Sequence, residues 1–308
     1  MGMSPDLYGA ADEAESIATI HAAIDAGVDL LDTGDFYGSG HNELVIGRAL
    51  RDRRDRALLS VKFGALRVPG GGFGGFDARP AAVKNFLAYS LNRLGVGHID
   101  IYRPSRLDPA VPIEETVGAI ADMVKAGYVR HIGLSEVGPE TIRRARAVHP
   151  IVDLQIEYSL ISRGPENAIF PLLQELGIGA TVYSVLSRGL LTGARPGSPR
   201  DLRSHLPRFA GENRDRNQPL VDTLARLAGE RGVKPAQLAI AWVRARQKWV
   251  VPVIGARTRA QLDDALGALA IALTPDEIAR LEQAIPPTAV TGARYGEEQM
   301  RILDSERR

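Results

Sequence analysis

The chain has 308 residues, of which 44% are hydrophobic and 24% are charged, as in an ordinary globular enzyme. Its 38 basic and 37 acidic residues nearly cancel, which argues against nucleic acids and membrane surfaces as partners. Because cysteine is absent, disulfides, thiol nucleophiles and cysteine-ligated metals are excluded. The six histidines show no metal-ligand spacing, so we expect no metal site. With no signal-peptide pattern and no long apolar run, we expect a cytoplasmic protein.

Strand-like and helix-like segments alternate along the chain, a pattern typical of parallel βα units. Short apolar runs predict strands at residues 28–32, 58–62, 99–103, 129–134, 154–157, 178–183 and 250–254. Amphipathic stretches predict helices at 12–26, 43–52, 81–94, 113–126, 139–148, 168–176, 235–246 and 258–269. Thr274, followed by Pro-Asp-Glu, predicts one more helix by threonine capping. The length suits one α/β barrel domain over residues 1–308.

Two long connections and a tail lie outside this alternation. Residues 63–77 contain a glycine-rich stretch, and residues 184–217 are rich in arginine, proline and glycine. Long loops in compact domains usually have a function, so we expect both to act as lids over a site. A polar tail at 286–308 follows the last predicted helix.

Three residues at the ends of the first two predicted strands can form one acid unit: Asp32, Tyr37 and Lys62. A free phenol has a pKa of about 10 and is a poor proton donor near neutrality. An adjacent ammonium lowers that pKa, and a carboxylate behind the lysine keeps it charged and oriented. Alternatively, the Asp-Thr-Gly-Asp segment is a turn and Lys62 is a surface residue. Because catalytic residues of α/β barrels lie at the carboxyl ends of strands, we favour the catalytic interpretation.

Six motifs occur in the order in which aldo-keto reductases carry them. They are Asp32-Thr-Gly-Asp-Phe-Tyr-Gly38, Val61-Lys62, Gly133-Leu-Ser-Glu136, Gln155-Ile-Glu-Tyr158, Tyr183-Ser-Val-Leu-Ser-Arg-Gly-Leu-Leu-Thr-Gly193 and Pro252-Val-Ile-Gly-Ala-Arg257. Over nearly its whole length the chain resembles this family of (β/α)8 TIM barrels, which reduce carbonyl compounds with NADPH. The resemblance implies an NADPH-dependent reductase of an aldehyde or ketone, with Tyr37 as the proton donor.

The fourth catalytic residue of the family, a histidine, is replaced in this chain. Residues 100–109 resemble the family pattern Asp-Leu-Tyr-x-x-His-Arg-x-Asp-Pro, and Ser105 occupies the place of the histidine. Either the site is an active variant with a roomier pocket, or the protein binds cofactor and turns over slowly. Arg103, on the same face of the strand, is a candidate for the missing donor, although an outward salt bridge is an equal alternative.

The resemblance also implies a cofactor site. Ser135 and Gln155 are expected to hydrogen-bond the nicotinamide carboxamide, and the ring of Tyr183 is expected to stack on the nicotinamide. The segment 184–189 is expected to wrap the pyrophosphate, with contacts at Ser184, Leu186, Arg188 and Gly189. The segment after the last strand, which opens a helix, is expected to hold the adenosine phosphate, with contacts at Arg257, Gln261 and Asp264. Arg257 or Arg259 beside a 2′-phosphate would favour NADPH over NADH.

A closed barrel of this type has eight strands, and only seven are predicted. Relatives open with a strand ending in a motif similar to Gly-x-Met-Gly-Met-Ser, whereas this chain starts at Met1-Gly-Met-Ser4. We therefore expect the first barrel strand to be missing and the strand at 28–32 to lie at an open edge. Two other functions remain open: a cofactor-binding sensor or partner subunit, and a barrel lyase or isomerase that uses Lys62. The sequence predicts neither the substrate nor the oligomeric state.

Overall fold

The computed structural model describes residues 2–4, 11–69, 72–198 and 201–307. Nine strands lie within these ranges: β1 (Leu30–Gly34), β2 (Leu58–Phe63), β3 (Ala65–Arg67), β4 (Phe73–Phe76), β5 (Ile99–Pro104), β6 (Val129–Ser135), β7 (Ile151–Glu157), β8 (Gly179–Tyr183) and β9 (Val250–Pro252). Seven of them form one parallel sheet in the order β1-β2-β5-β6-β7-β8-β9, and β3 and β4 form a separate antiparallel hairpin.

Helices follow the strands in alternation. They are α1 (Glu13–Asp25), α2 (His41–Ala49), α3 (Pro80–Leu94), α4 (Ile113–Lys125), α5 (Pro139–Val148), α6 (Ile169–Leu176), α7 (Gly211–Glu230), α8 (Pro235–Arg246), α9 (Arg259–Leu266), α10 (Pro275–Ala284) and α11 (Glu297–Ile302). Neighbouring helices α3, α4 and α5 pack side by side, as expected of a helical layer outside the sheet. In the described part of the chain, no helix is both long and apolar enough to cross a membrane.

The strand order matches the predicted (β/α)8 barrel without its first strand. All six pairings of the seven-stranded sheet are parallel, and β1 and β9 are its two edges in the described residues. Because parallel strands share one direction, their carboxyl ends meet at the same rim. The register places Lys62 opposite Gly34 on one side and Arg103 on the other, so Lys62 lies at this rim beside the segment that contains Tyr37.

Alternation along the strands separates an apolar layer from a polar interior. On β5, Tyr102 is fully buried and stacks on Phe63, with ring centroids 4.4 Å apart, beneath α3. Arg103 points the opposite way, into the barrel, where its Nη1 lies 2.5 Å from the carboxylate of Asp153. The structure therefore excludes the outward salt bridge of Arg103 that the sequence left open.

Several elements differ from those predicted. The segment 63–77 contains the hairpin β3–β4. The last seven residues of the 184–217 segment begin α7, a polar helix with Pro219 on its exposed side. The helix predicted at 258–269 ends at Leu266 and continues as a 3-10 turn. Thr274 caps α10 in a reciprocal capping box with Glu277, which confirms that prediction.

Candidate active site

Asp32 and Lys62 meet at the carboxyl ends of β1 and β2. The Lys62 ammonium donates to Oδ2 of Asp32 at 2.5 Å, and both side chains are almost fully buried. Lys62 Nζ also lies 5.2 Å from the centroid of the Tyr37 ring. Tyr37 is itself buried, with 7% of its surface exposed. The structure thus brings together the three residues predicted to form an acid unit.

The carboxylate of Asp32 is held from three sides. Besides Lys62, its Oδ1 accepts hydrogen bonds from the Ser60 hydroxyl at 2.9 Å and the Gln155 amide at 2.7 Å. Burial acts to raise the pKa of Asp32, but the positive charges of Lys62 and Arg103 outweigh it and hold the pKa below its usual value. Burial lowers the pKa of Lys62 against the attraction of Asp32. Asp32 therefore stays ionised and keeps the ammonium in one position.

A tight turn after β1 presents Tyr37. Tyr37 starts a 3-10 turn in which Gly38, Ser39 and Gly40 all have positive φ, at 58°, 51° and 94°. A Cβ on Gly38 would lie 2.9 Å from the side chain of Ser4, so this position accepts only glycine without rearrangement. The Phe36 ring packs edge-on against Tyr37, with centroids 4.7 Å apart. These contacts fix the tyrosine ring beside Lys62.

Ser105 lies next to this group but has few partners of its own. Its amide donates to the Phe63 carbonyl at 2.8 Å, which places residue 105 beside the end of β2. The residue is 2% exposed, and its hydroxyl is buried without a hydrogen-bond partner among the described residues. Arg106, the next residue, donates to the Ser105 carbonyl at 2.6 Å. A buried hydroxyl without a partner is a donor available to a ligand.

The other residues predicted to hold nicotinamide lie on the next three strands. Ser135 and Gln155 are opposite each other in the β6–β7 register, and both are buried. Tyr183, at the end of β8, donates its hydroxyl to Glu136 at 2.7 Å. The pKa of Tyr183 is raised well above its usual value by burial and by the neighbouring Glu136 charge. The three side chains therefore lie along one side of the rim, where the sequence predicts a platform for the nicotinamide.

Glu136 is the centre of a buried ionic group that the sequence did not predict. It is fully buried with a positive φ of 53°, and Arg294 forks onto both of its carboxylate oxygens at 3.1 and 2.9 Å. The Ser305 hydroxyl donates to the same carboxylate at 2.6 Å. Burial acts to raise the pKa of Glu136, but the Arg294 charge lowers it well below its usual range. Sequence patterns did not indicate this group, because Glu136 and Arg294 are 158 positions apart in the chain.

Tyr295, in the tail, lies over the same rim. Its hydroxyl is 3.0 Å from the Tyr183 hydroxyl, and three guanidinium groups lie near its ring, those of Arg106, Arg188 and Arg294. Of these, Arg188 is closest, with its guanidinium carbon 4.6 Å from the centroid. Arg188 also pairs with the buried Glu157 at 3.0 Å. The residue predicted to neutralise a phosphate is therefore held inside this group of charges.

The segment predicted to wrap a pyrophosphate has an unusual backbone. Ser184, Ser187, Arg188 and Gly189 all have positive φ, at 55°, 47°, 56° and 91°. Leu186, between them, packs against the hydrophobic core. The N–H groups of Ser187 and Gly189 donate to the carbonyls of Ser184 and Leu186 at 2.6 and 2.9 Å, so the segment folds into tight turns. Turns of this kind can form a concavity that suits anions.

The residues predicted to hold the adenosine phosphate lie at the start of α9. The Thr258 side chain caps this helix, and the Gln261 side chain accepts from the Arg257 amide at 2.8 Å. Asp264 accepts from Lys234 at 2.5 Å. The structure thus places Arg257 and Gln261 together at a helix N-terminus, where backbone N–H groups favour negative charge, and Asp264 further along the same helix.

Asp35, two residues before Tyr37, makes stability depend on pH. It is 8% exposed, one of its oxygens has no partner among the described residues, and burial, helped by the Glu43 charge, raises its pKa to about 7. The folded state then holds a proton that the unfolded state has lost, so this residue's contribution to stability decreases as pH rises from about 4 to about 7.

We expect Asp35→Asn to match the parent melting temperature at pH 4 and to exceed it at pH 8, since the amide carries no charge to desolvate. Thermal melts followed by circular dichroism at both pH values measure this difference. Asp52→Asn is the control, because the side chain of Asp52 is 78% exposed. A lower melting temperature for Asp35→Asn than for the parent at pH 8 would contradict the prediction.

Comparison with known proteins agrees with this geometry. The family model described as the Aldo/keto reductase family matches residues 1–286. A probable aldo-keto reductase 1 of Glycine max is 39% identical over 302 residues, covering 96% of this chain and 86% of that protein. The chain therefore belongs to the aldo-keto reductase family.

Solved structures of similar proteins include two enzymes of the same class. A glycerol dehydrogenase from Gluconobacter oxydans has a TM-score of 0.82 and 29% identity, covering 93% of this chain and 90% of that one. An aldo/keto reductase from Klebsiella pneumoniae in complex with NADP and acetate has a TM-score of 0.71 and 27% identity, covering 92% of this chain and 90% of that one. An aldo-keto reductase from Klebsiella pneumoniae has also been solved in complex with NADPH, with a TM-score of 0.71 and 27% identity, covering 89% of this chain and 86% of that one.

Proposed function

We propose that this protein reduces an aldehyde or ketone to an alcohol with NADPH, and that Tyr37 donates the proton. The observation that carries the proposal is the buried group in which Lys62 bonds Asp32 and lies beside the Tyr37 ring. A phenol beside a fixed ammonium is a better acid than a free phenol, because the positive charge stabilises the phenolate left after proton transfer. Family membership and relatives solved with NADP and NADPH support the cofactor.

The side chains at the rim fit this cofactor. Ser135 offers a hydroxyl. The side-chain N–H of Gln155 already donates to Asp32, so the amide oxygen of Gln155 remains as the acceptor for a carboxamide N–H. We propose that Tyr183 stacks on the nicotinamide, held in place by its bond to Glu136. The left-handed segment at 184–189, with Ser184, Leu186, Arg188 and Gly189, would hold the pyrophosphate. When bound, NADPH supplies the hydride for the carbonyl carbon.

The chain's own residues have distinct roles in this proposal. Tyr37 protonates the carbonyl oxygen, and Lys62 stabilises the phenolate that remains. Asp32 holds Lys62 in place, and Ser105 offers its unpartnered hydroxyl to the substrate. Because Lys62 is bonded to an ionised carboxylate, it is poorly suited to the Schiff-base chemistry of a lyase.

The direct test combines binding and turnover. Fluorescence of bound NADPH measures affinity, and loss of absorbance measures its oxidation with a panel of aldehydes and ketones. Binding with oxidation by at least one carbonyl compound supports the reductase. Binding with no oxidation would instead support the cofactor-binding sensor, and no binding would contradict both.

We expect Arg257 to account for a preference for NADPH over NADH by contacting the 2′-phosphate. A charge-assisted hydrogen bond contributes roughly 1.5–3 kcal/mol, so Arg257→Ala should narrow the ratio of the two dissociation constants by more than about tenfold. Arg259→Ala is the matched control, because Arg259 is exposed and its guanidinium is engaged by Glu15 at 2.9 Å. Equal dissociation constants in the parent would contradict the proposal.

A further inference from the structure

Arg106 is a guanidinium at the candidate active site without an acidic partner in the described part of the chain. It is half-buried, and among the described residues no carboxylate lies within 4.0 Å of it. Its hydrogen bonds go to neutral acceptors: the Ser105 carbonyl at 2.6 Å, the Ser135 hydroxyl at 3.4 Å and the Tyr295 hydroxyl at 3.2 Å. A cation removed from water is normally paired, so this residue lacks the counter-charge that its position demands.

Four other cations that the structure describes at the strand ends each have an acidic partner. Lys62 pairs with Asp32, Arg103 with Asp153, and Arg294 with Glu136, at 2.5, 2.5 and 2.9 Å. Arg188 pairs with Glu157 at 3.0 Å. The charge of Glu136 acts on Arg106, but its carboxylate already accepts five hydrogen bonds from four other residues. Of these five cations, Arg106 is therefore the one with no described carboxylate within 4.0 Å.

The position of Arg106 relative to the acid unit is fixed by the sheet. Lys62 is opposite Arg103 in the β2–β5 register, and the Ser105 amide bonds the carbonyl of Phe63, the residue after Lys62. Arg106 follows directly, and its charge acts with burial and with that of Arg103 to lower the pKa of Lys62. The guanidinium thus acts electrostatically on the group that would receive the substrate carbonyl.

We propose that Arg106 binds a carboxylate on the substrate, so that this enzyme reduces carbonyl compounds that carry a carboxylate. The inference rests on the proposed reductase function and adds a class of substrate to it. A planar guanidinium matches a carboxylate with two parallel hydrogen bonds, and the pair is neutral. The unpartnered hydroxyl of Ser105 beside it is a further donor to the same substrate. Hydride reaches the carbonyl carbon, Tyr37 protonates the oxygen, and the product is a hydroxy acid.

The test compares acids with their methyl esters. Glyoxylate, 4-oxobutanoate and 4-formylbenzoate are each assayed beside the corresponding ester for kcat/KM, because the structure does not fix the span between carbonyl and carboxylate. In the parent, we expect the kcat/KM for at least one acid to exceed that for its ester by more than tenfold. Arg106→Met should lower that ratio by more than tenfold, and Arg106→Lys should retain part of it.

A binding measurement keeps the inference separate from turnover. Propanoate, which has no carbonyl to reduce, is titrated into the NADPH complex and followed by calorimetry in the parent, Arg106→Met and Arg143→Met. Arg143 is the matched control, since it pairs with Glu175 on the surface. We expect binding to weaken only in Arg106→Met, even if no carbonyl compound is ever reduced.

Two results would overturn the inference. One is a parent enzyme that reduces the esters as well as or better than the acids. The other is an equal loss on acids and esters in Arg106→Met, which would mean that the guanidinium serves the carbonyl itself. NADPH oxidation by none of the carbonyl compounds would contradict the reductase function, while the propanoate titration would still report on Arg106.

Discussion

Replacing Tyr37 by phenylalanine is expected to lower carbonyl reduction by about 10²–10⁴-fold, the usual contribution of a positioned general acid. The change removes only the hydroxyl oxygen. The ring keeps its edge-on contact with Phe36 and its place beside the Lys62 ammonium. NADPH affinity should therefore stay close to that of the parent. Steady-state rates and the fluorescence of bound NADPH measure the two quantities separately.

Tyr89→Phe is the matched control for this change. Tyr89 is 54% exposed on α3, away from the carboxyl ends of the strands, so its hydroxyl should not affect turnover. An unaltered turnover number in Tyr37→Phe would refute the assignment of Tyr37 as proton donor. A loss of NADPH binding in the same variant would mean that the residue is structural.

Removing Asp153 should be strongly destabilising, because it would leave the charge of Arg103 unpaired inside the barrel. The Arg103 side chain has no exposed area, and Asp153 also accepts from the amide and hydroxyl of Thr181 at 2.7 and 2.9 Å. Breaking a buried ion pair typically costs about 3–5 kcal/mol. We expect Asp153→Ala to lose free energy of unfolding in this range, measured by urea denaturation.

Two further variants show whether burial is the cause. Glu175→Ala also removes the acid of an arginine pair, but this pair with Arg143 is more than half exposed and should contribute at most about 1 kcal/mol. Adding Arg103→Met to Asp153→Ala should recover part of the loss, since it removes the unpaired charge. A loss below about 1 kcal/mol in Asp153→Ala would show that water reaches Arg103 and solvates it.

The parts of the fold that sequence predicted are those encoded locally. Each strand of the sheet overlaps a predicted strand, and helices such as Pro139–Val148 and Pro235–Arg246 have the predicted bounds. Asp32 and Lys62 were found because a polar residue at the end of an apolar strand stands out. The two side chains lie close together because parallel strands have their carboxyl ends at the same rim of the sheet.

Other features depend on the whole molecule. Both faces of a barrel strand are buried, so alternation could not say whether Arg103 faces inward or outward. The three-residue strand β3 is too short to carry a pattern, and α7 is polar enough to read as a loop. Arg106 was passed over because its lack of an acidic partner is visible only once every neighbouring carboxylate has been placed.

The bond between Glu136 and Arg294 has a consequence for protein engineering. The two residues are 158 positions apart in the chain, yet each is the main counter-charge of the other and both are buried. One way to alter the rim of this site is to exchange the tail for that of a relative. In this protein such an exchange would separate the two halves of one ion pair, so residue 136 and the tail must be transferred together.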